Sequence, residues 1–193
     1  MYGKGGWKAT TVISLSIGQG EIGCTPLHLA NLCATIANRG FYYIPHIIKD
    51  SEHVSIDPKY KERHYTMVDT THFPKVIGGM YRAVNSGFGS GGTASIAAVK
   101  GLDICGKTGT AQVASGKRGY HSGTRRYMVS FCGYFPSETP KYSCIVCIVK
   151  DGLPASGGGQ CGPVFSQISQ FIMAQSFKRD ASQLADSLSV FTP

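Results

Sequence analysis

Apolar residues recur at helical spacing in three stretches of the chain and cluster in short, β-branched or aromatic runs in four others. Leu29, Leu32, Cys33, Ile36 and Ala37 fall at i, i+3, i+4, i+7 and i+8 behind Thr25-Pro26, and Gly40 follows them. A threonine hydroxyl can cap the first free N–H groups and a proline opens a helix without losing a bond, so this spacing predicts a helix over 26–38. Phe73, Val76, Ile77, Met80, Tyr81 and Val84 repeat the pattern, with Pro74 tolerated in the first turn and Gly87 beyond the end, which predicts a second helix over 72–85. Pro163 opens a third, with Val164, Ile168, Phe171 and Ile172 facing inward and the cations Lys178-Arg179 placed favourably at its C-terminal end. Residues 181–193 read as a flexible tail after a domain over 1–180.

The other runs read as extended. Residues 10–17 are β-branched and apolar and predict a strand; 41–49 predict a short strand or extended connection. The polar stretch 50–66 reads as a loop whose His53 and His64 lack metal-ligand spacing, and no metal is assigned. Residues 127–135 and 142–149 predict an antiparallel hairpin around a loop over 136–140. The second arm is almost continuously apolar, which predicts a central strand covered on both faces. The glycine-rich stretch 87–92 reads as a loop. Gly18-Gln19-Gly20-Glu21-Ile22-Gly23 is formally G-x-G-x-x-G, but Thr25-Pro26 restarts the chain at once, so no dinucleotide site is assigned.

Length and composition narrow the function classes. A chain of 193 residues supports one domain, and 42% hydrophobic with 16% charged residues excludes disorder and coiled coil. With 25 glycines a loop-rich α/β fold is favoured over a bundle. No apolar stretch approaches the roughly 20 residues of a membrane span, and Met1-Tyr2-Gly3-Lys4 is not followed by a signal-peptide core, so any anchor or export signal is expected outside this chain. The net charge of +8 is spread thinly; Lys117-Arg118 and Arg125-Arg126 are the tight basic pairs of one short segment, no known RNA- or DNA-binding scaffold with interleaved aromatics is seen, and nucleic acid is not read as a partner. The seven cysteines are odd in number and irregular in spacing. Cys144-Ile145-Val146-Cys147 is C-x-x-C within an extended run, where positions three apart face opposite ways, so buried free thiols are expected rather than a disulfide framework or metal site.

The chemistry concentrates at Lys107-Thr108-Gly109-Thr110, set within Gly106 to Gln112 and preceded by Gly92-Thr93-Ala94. K-T-G is one of three motifs that accompany a serine nucleophile in penicillin-binding proteins and β-lactamases. Gly18-Gln19-Gly20-Glu21 with Thr25-Pro26-Leu27 and Ile36-Ala37-Asn38 is similar to a helix-entry segment of the class B penicillin-binding proteins, and Gly133-Tyr134-Phe135-Pro136 with Pro140-Lys141 to their hairpin. The resemblance covers 18–172. It implies an α/β sandwich with a mainly antiparallel sheet and helices on both faces, incomplete at its N-terminus, and no cofactor. It also implies that Thr108 and Thr110 hydroxyls bind the terminal carboxylate of a D-Ala-D-Ala stem peptide or of a β-lactam, with Gly109 letting the ligand backbone approach. The Thr110 backbone N–H would serve as an oxyanion donor and Lys107 as a fixed positive charge.

No serine has a lysine three positions on, and none opens S-x-N. The resemblance places both motifs before K-T-G, so this chain reads as the C-terminal part of a transpeptidase domain, inactive by itself without the rest of that domain. Asp103, Asp151 and Glu21 form no evident acid/base pair. The parent would cross-link peptidoglycan stem peptides through a serine acyl-enzyme, at the periplasmic face of the inner membrane among the cell-wall synthesis machinery. A D,D-carboxypeptidase or β-lactamase-like hydrolase, or a non-catalytic scaffold module, is the alternative. Tyr42-Tyr43-Ile44-Pro45-His46 and Met80-Tyr81-Arg82-Ala83-Val84 look closer to elongation-type enzymes, whereas 130–136 and 153–158 look closer to division-type ones.

Overall fold

The computed structural model describes residues 6–20, 22–49, 51, 54–113 and 125–189; the expectations placed on residues 1–4, Glu21, His53 and Lys117-Arg118 lie outside them. In chain order the elements are α1 (Ala9–Ser16), α2 (Pro26–Ala37), β1 (Phe41–Tyr42), β2 (His64–Tyr65), α3 (Phe73–Asn85), β3 (Cys105–Val113), β4 (Arg126–Phe135), β5 (Tyr142–Asp151) and α4 (Gly162–Ser189).

β3, β4 and β5 form an antiparallel sheet in that order, with Lys107 opposite Cys132, Gly109 opposite Ser130 and Thr110 opposite Val129. The hairpin is as expected, except that Phe135 pairs with Tyr142 and its loop is 136–141. The place of β5 is not as expected. β4 is central, and β5 ends the described sheet with its residues half-buried or exposed. A continuous apolar run reports that both faces meet apolar groups, and they do, because Tyr142, Cys144, Val146 and Ile148 join the core on one side and α2 packs on the other. It does not report strand order.

Alternation along β4 divides the core in two. Val129, Phe131 and Phe135 point to the face covered by α4, where the Phe165 ring meets Phe131 edge-on at 4.7 Å and Phe135 at 5.8 Å between centroids. Tyr134 and Cys132 point to the face covered by α2 and α3, against Cys33, Ala37 and Met80. The capping expected at Thr25 is present. Its Oγ1 accepts from the His28 N–H at 3.2 Å while the His28 ring accepts from the Thr25 N–H at 3.4 Å, so His28 closes a capping box. Gly40 ends the helix with φ of 114°, a left-handed conformation that glycine adopts at no steric cost.

Four further sequence expectations are corrected. Residues 10–17 are not a strand: Ala9–Ser16 is helical and buries no residue. β propensity is a fit to a pleated, half-buried surface, and among the described residues no strand lies beside this run to pair with it, so the backbone bonds internally. The stretch 50–66 is not all loop, since β2 lies in it and pairs with β1. In α4 the inward face is Phe165, Ser166, Ser169 and Ser176 with Ile172, while Val164 and Phe171 are exposed. Small serines let the helix approach the sheet, and Ser169 satisfies itself by donating to the Ser166 carbonyl at 2.9 Å, so an apolar template misplaces the stripe. The helical backbone continues past Lys178-Arg179 to Ser189.

Candidate functional site

β3 is one of the two edge strands of the described sheet, and the four residues Lys107 to Thr110 lie at its middle. The Gln19 carboxamide reaches this edge at Gln112, donating to its carbonyl at 3.3 Å and accepting from its N–H at 2.8 Å. In an antiparallel pair the backbone groups alternate in direction residue by residue. Those of Thr110 and Thr108 therefore face the same free edge as those of Gln112, while Lys107, Gly109 and Ala111 bond to β4. Lys107 Nζ curls round the edge and donates to the outward Thr108 carbonyl at 2.7 Å. Among the described residues no carboxylate is within ion-pairing distance of that ammonium.

Behind the strand, Gly157–Cys161 forms a π-helical turn laid flat on the sheet. The Gly157 N–H donates to Thr110 Oγ1 at 3.2 Å. A hydroxyl that accepts one hydrogen bond keeps its own proton to donate, so the turn holds the Thr110 side chain in place and leaves its donor available to a ligand. The close approach depends on absent side chains. A Cβ on Gly157 would lie 2.2 Å from the Ser130 carbonyl oxygen, and one on Gly109 would lie 2.4 Å from Ser130 Oγ. Ser130 Oγ ends a rotatable side chain, so the contact at Gly109 is close without demanding glycine, whereas the backbone contacts of Gly157 do demand it.

Two clefts meet at these residues. One, of about 820 Å³, runs between the β3 edge and the segment from Leu15 to Cys24. The other, of about 520 Å³, is walled by Leu29, Leu32 and Ile36 of α2 and by Val76 and Met80 of α3. Leu32 is 53% exposed and Val76 47% exposed because they border this open space instead of the closed core that the helical stripes predicted. Lys107, Thr108, Gly109 and Ser130 line both clefts. Ser130 is the residue that sequence reasoning passed over; its only signal was its position in a strand beside K-T-G.

The other titratable groups are placed elsewhere. Asp151 accepts from Arg126 Nε at 2.8 Å across β4 and β5, and this pairing holds its carboxyl below the ordinary value. Asp103 accepts from the Tyr81 hydroxyl at 3.5 Å, and the charge of Asp103 raises the Tyr81 pKa. The related spacing S-x-D does occur, at Ser55-Ile56-Asp57, where Asp57 caps the turn Pro58–Tyr60 through the Lys59 N–H at 3.0 Å. Ser55 and Asp57 line a separate cleft with Pro45 and His46, and neither cleft at Lys107 includes them. Among the described residues no group of three His, Cys, Asp or Glu side chains is arranged to hold a metal ion, and no helix is long and apolar enough to cross a membrane.

Residues 3–170 match the family model described as the penicillin binding protein transpeptidase domain. The chain is 30% identical to penicillin-binding protein PbpB of Mycolicibacterium smegmatis over 86% of its length, and 29% identical to the peptidoglycan D,D-transpeptidase MrdA of Haemophilus influenzae over 88%. It spans about a quarter of each, 26% and 27% respectively. Among solved structures, penicillin-binding protein 3 of Mycobacterium tuberculosis complexed with ampicillin superposes with a TM-score of 0.63 at 28% identity, covering 88% of this chain and 38% of that one.

Proposed function

Because this chain belongs to the penicillin-binding protein transpeptidase family and is related to its class B members, we propose that it supplies the carboxylate-recognition edge of a peptidoglycan D,D-transpeptidase. The observation that carries the reading is Thr110, whose N–H faces the free edge of β3 and whose hydroxyl is steadied from behind by the Gly157 N–H, at the floor of a cleft of about 820 Å³.

In the complete reaction a serine attacks the penultimate D-Ala carbonyl of a stem peptide, D-Ala departs, and the amine of a second peptide takes the acyl group. The peptide, or a β-lactam in its place, lies along β3 as an added strand, which satisfies outward backbone groups of Thr108 and Thr110. Its terminal carboxylate accepts from the Thr108 and Thr110 hydroxyls, a hydrogen bond to a charged group being worth about 1.5–3 kcal/mol. The Thr110 N–H meets the oxyanion, a kind of contact worth roughly 3 kcal/mol in the transition state. Lys107 releases the Thr108 carbonyl as the peptide docks and offers its charge to the carboxylate.

The nucleophile lies in another part of the domain. Ser130 is opposite Gly109, but the ammonium of Lys107, which lines the same clefts, is bonded to the Thr108 carbonyl. The apolar walls Leu29, Leu32, Ile36 and Val76, and the outer edge of β5, are surfaces for the remainder of the transpeptidase domain. The working site is the periplasmic face of the inner membrane, among the cell-wall synthesis machinery, where the stem peptides are. A fluorescent penicillin tests the reading: the chain joined to the rest of its domain becomes covalently labelled, and Thr110→Val slows that labelling. Labelling untouched by substitution at Thr108 and Thr110 together would remove the proposed role of this edge.

A further inference from the structure

The seven cysteines divide by what each sulphur touches. Cys24 is exposed, Cys105 is 3.3 Å from the Ser137 hydroxyl, Cys161 donates to the Val129 carbonyl at 3.5 Å, and Cys144 and Cys147 lie on β5. Cys33, on the buried face of α2, is different: its Sγ is 2.9 Å from the Sγ of Cys132 in the central strand, 99 residues away in sequence. No other pair of cysteine sulphurs among the described residues is within hydrogen-bonding distance.

A disulfide holds its sulphurs about 2.05 Å apart, so this pair stands within about 1 Å of bonding distance. Cys33 is 5% exposed and Cys132 half-buried, with the Cys132 thiol donating to the Leu29 carbonyl at 3.2 Å, so the sulphur is seated against the first turns of α2 instead of pointing past it. The closed loop would be long, which is where a cross-link removes most freedom from the unfolded chain.

We propose that Cys33 and Cys132 form a disulfide that fastens α2 to β4, made by exchange with a protein or small-molecule disulfide. One cysteine thiolate attacks a donor sulphur, the donor S–S bond breaks, and one donor sulphur departs as a thiol. The second cysteine attacks the resulting mixed disulfide and expels the other donor sulphur as a thiol. Two protons move to the two leaving sulphurs; the cysteines lose two electrons and the donor gains them. In the docked state the hydrogen bond with Cys33, with burial behind it, pushes the Cys132 thiol above its ordinary range. Thiolate is then scarce, so the bond is made as helix and strand come together, not after. Cys132 is opposite Lys107, and the link fixes the α2 wall of the apolar cleft relative to β3.

The intact protein, refolded from the reduced state with oxidised glutathione, is alkylated and mapped by peptide mass spectrometry, and the same map is made on protein produced in an oxidising compartment. We expect a linked pair of peptides containing Cys33 and Cys132, lighter by two hydrogens than the separate peptides and split by reductant. The free-thiol titre should fall by two, and reduction should lower the thermal midpoint by about 10 °C. Cys33→Ser with Cys132→Ser should abolish the linked pair and the reductant-sensitive shift. Separate alkylation of Cys33 and Cys132 in both preparations, or linkage of either to Cys24 instead, overturns the proposal. Neither depends on acylation, so this result and the transpeptidase reading fail independently.

Discussion

Replacing Gly157 by alanine should be far more damaging than making the same change two residues later. A Cβ at Gly157 would sit 2.2 Å from the Ser130 carbonyl oxygen, 2.5 Å from the Gly109 carbonyl oxygen and 2.9 Å from the Gly109 nitrogen. All three are backbone atoms of paired strands, which no rotamer change can move aside. Overpacking against side chains costs about 1–3 kcal/mol, so a clash with two fixed backbones should cost at least about 3 kcal/mol. For a protein of this size each kcal/mol moves the thermal midpoint by roughly 2–4 °C, giving a fall of about 6–12 °C. Gly159 is the matched control, since a Cβ there meets nothing nearer than Ser156 Oγ at 3.5 Å. Gly159→Ala should lie within about 1 kcal/mol of the parent, with a small gain possible through reduced unfolded-state freedom. Thermal unfolding of the two variants, followed by circular dichroism side by side, reads the difference. In the complete domain Gly157→Ala should also slow β-lactam acylation, because the Thr110 hydroxyl loses the N–H that steadies it. Equal midpoints for the two variants would refute the packing of the turn on the sheet.

Residues 1–193 alone should take up no covalent β-lactam, as judged by intact-protein mass spectrometry; a stoichiometric serine adduct would show that a nucleophile is present in this chain. In the complete domain Thr110→Val should slow acylation by about ten- to a hundredfold, because valine removes the hydroxyl's charged hydrogen bond, whereas Thr110→Ser should stay close to the parent. Equal rates would leave Thr110 only its backbone. Asp151 has its carboxyl lowered by Arg126, so the pair stabilises the fold above the unfolded-state carboxylate pKa and loses that contribution as pH falls through the lowered folded-state value. The midpoint difference between parent and Arg126→Met should therefore shrink on acidification; a difference that grows would contradict the pairing.

The sequence by itself determined the elements whose signals are local and repeated. Thr25-Pro26 and Gly40 bounded α2, Pro74 and the 3.6-residue period marked α3, and two apolar runs on either side of a loop bounded by Pro136 and Pro140 marked the hairpin. It also determined the family, because Lys107-Thr108-Gly109-Thr110 in its flanking context is a pattern of residue types that survives without coordinates of any kind. Each of these depends on interactions within a few positions of the chain, which is the range over which residue order constrains geometry.

Contacts between distant segments decided the rest. Which hairpin arm is central depended on where β3 pairs, and β3 chose β4. Whether residues 10–17 became strand or helix depended on the presence of a neighbouring strand, a matter of packing and not of propensity. The buried face of α4 depended on serines that only their position against the sheet reveals as interior, and the need for glycine at Gly157 depended on the backbones of Gly109 and Ser130, neither of them near it in sequence. Cys33 and Cys132 are 99 positions apart, and nothing in their spacing announces that their sulphurs meet. Burial and close approach are properties of pairs of segments, and a single chain read in order carries no record of which pairs form.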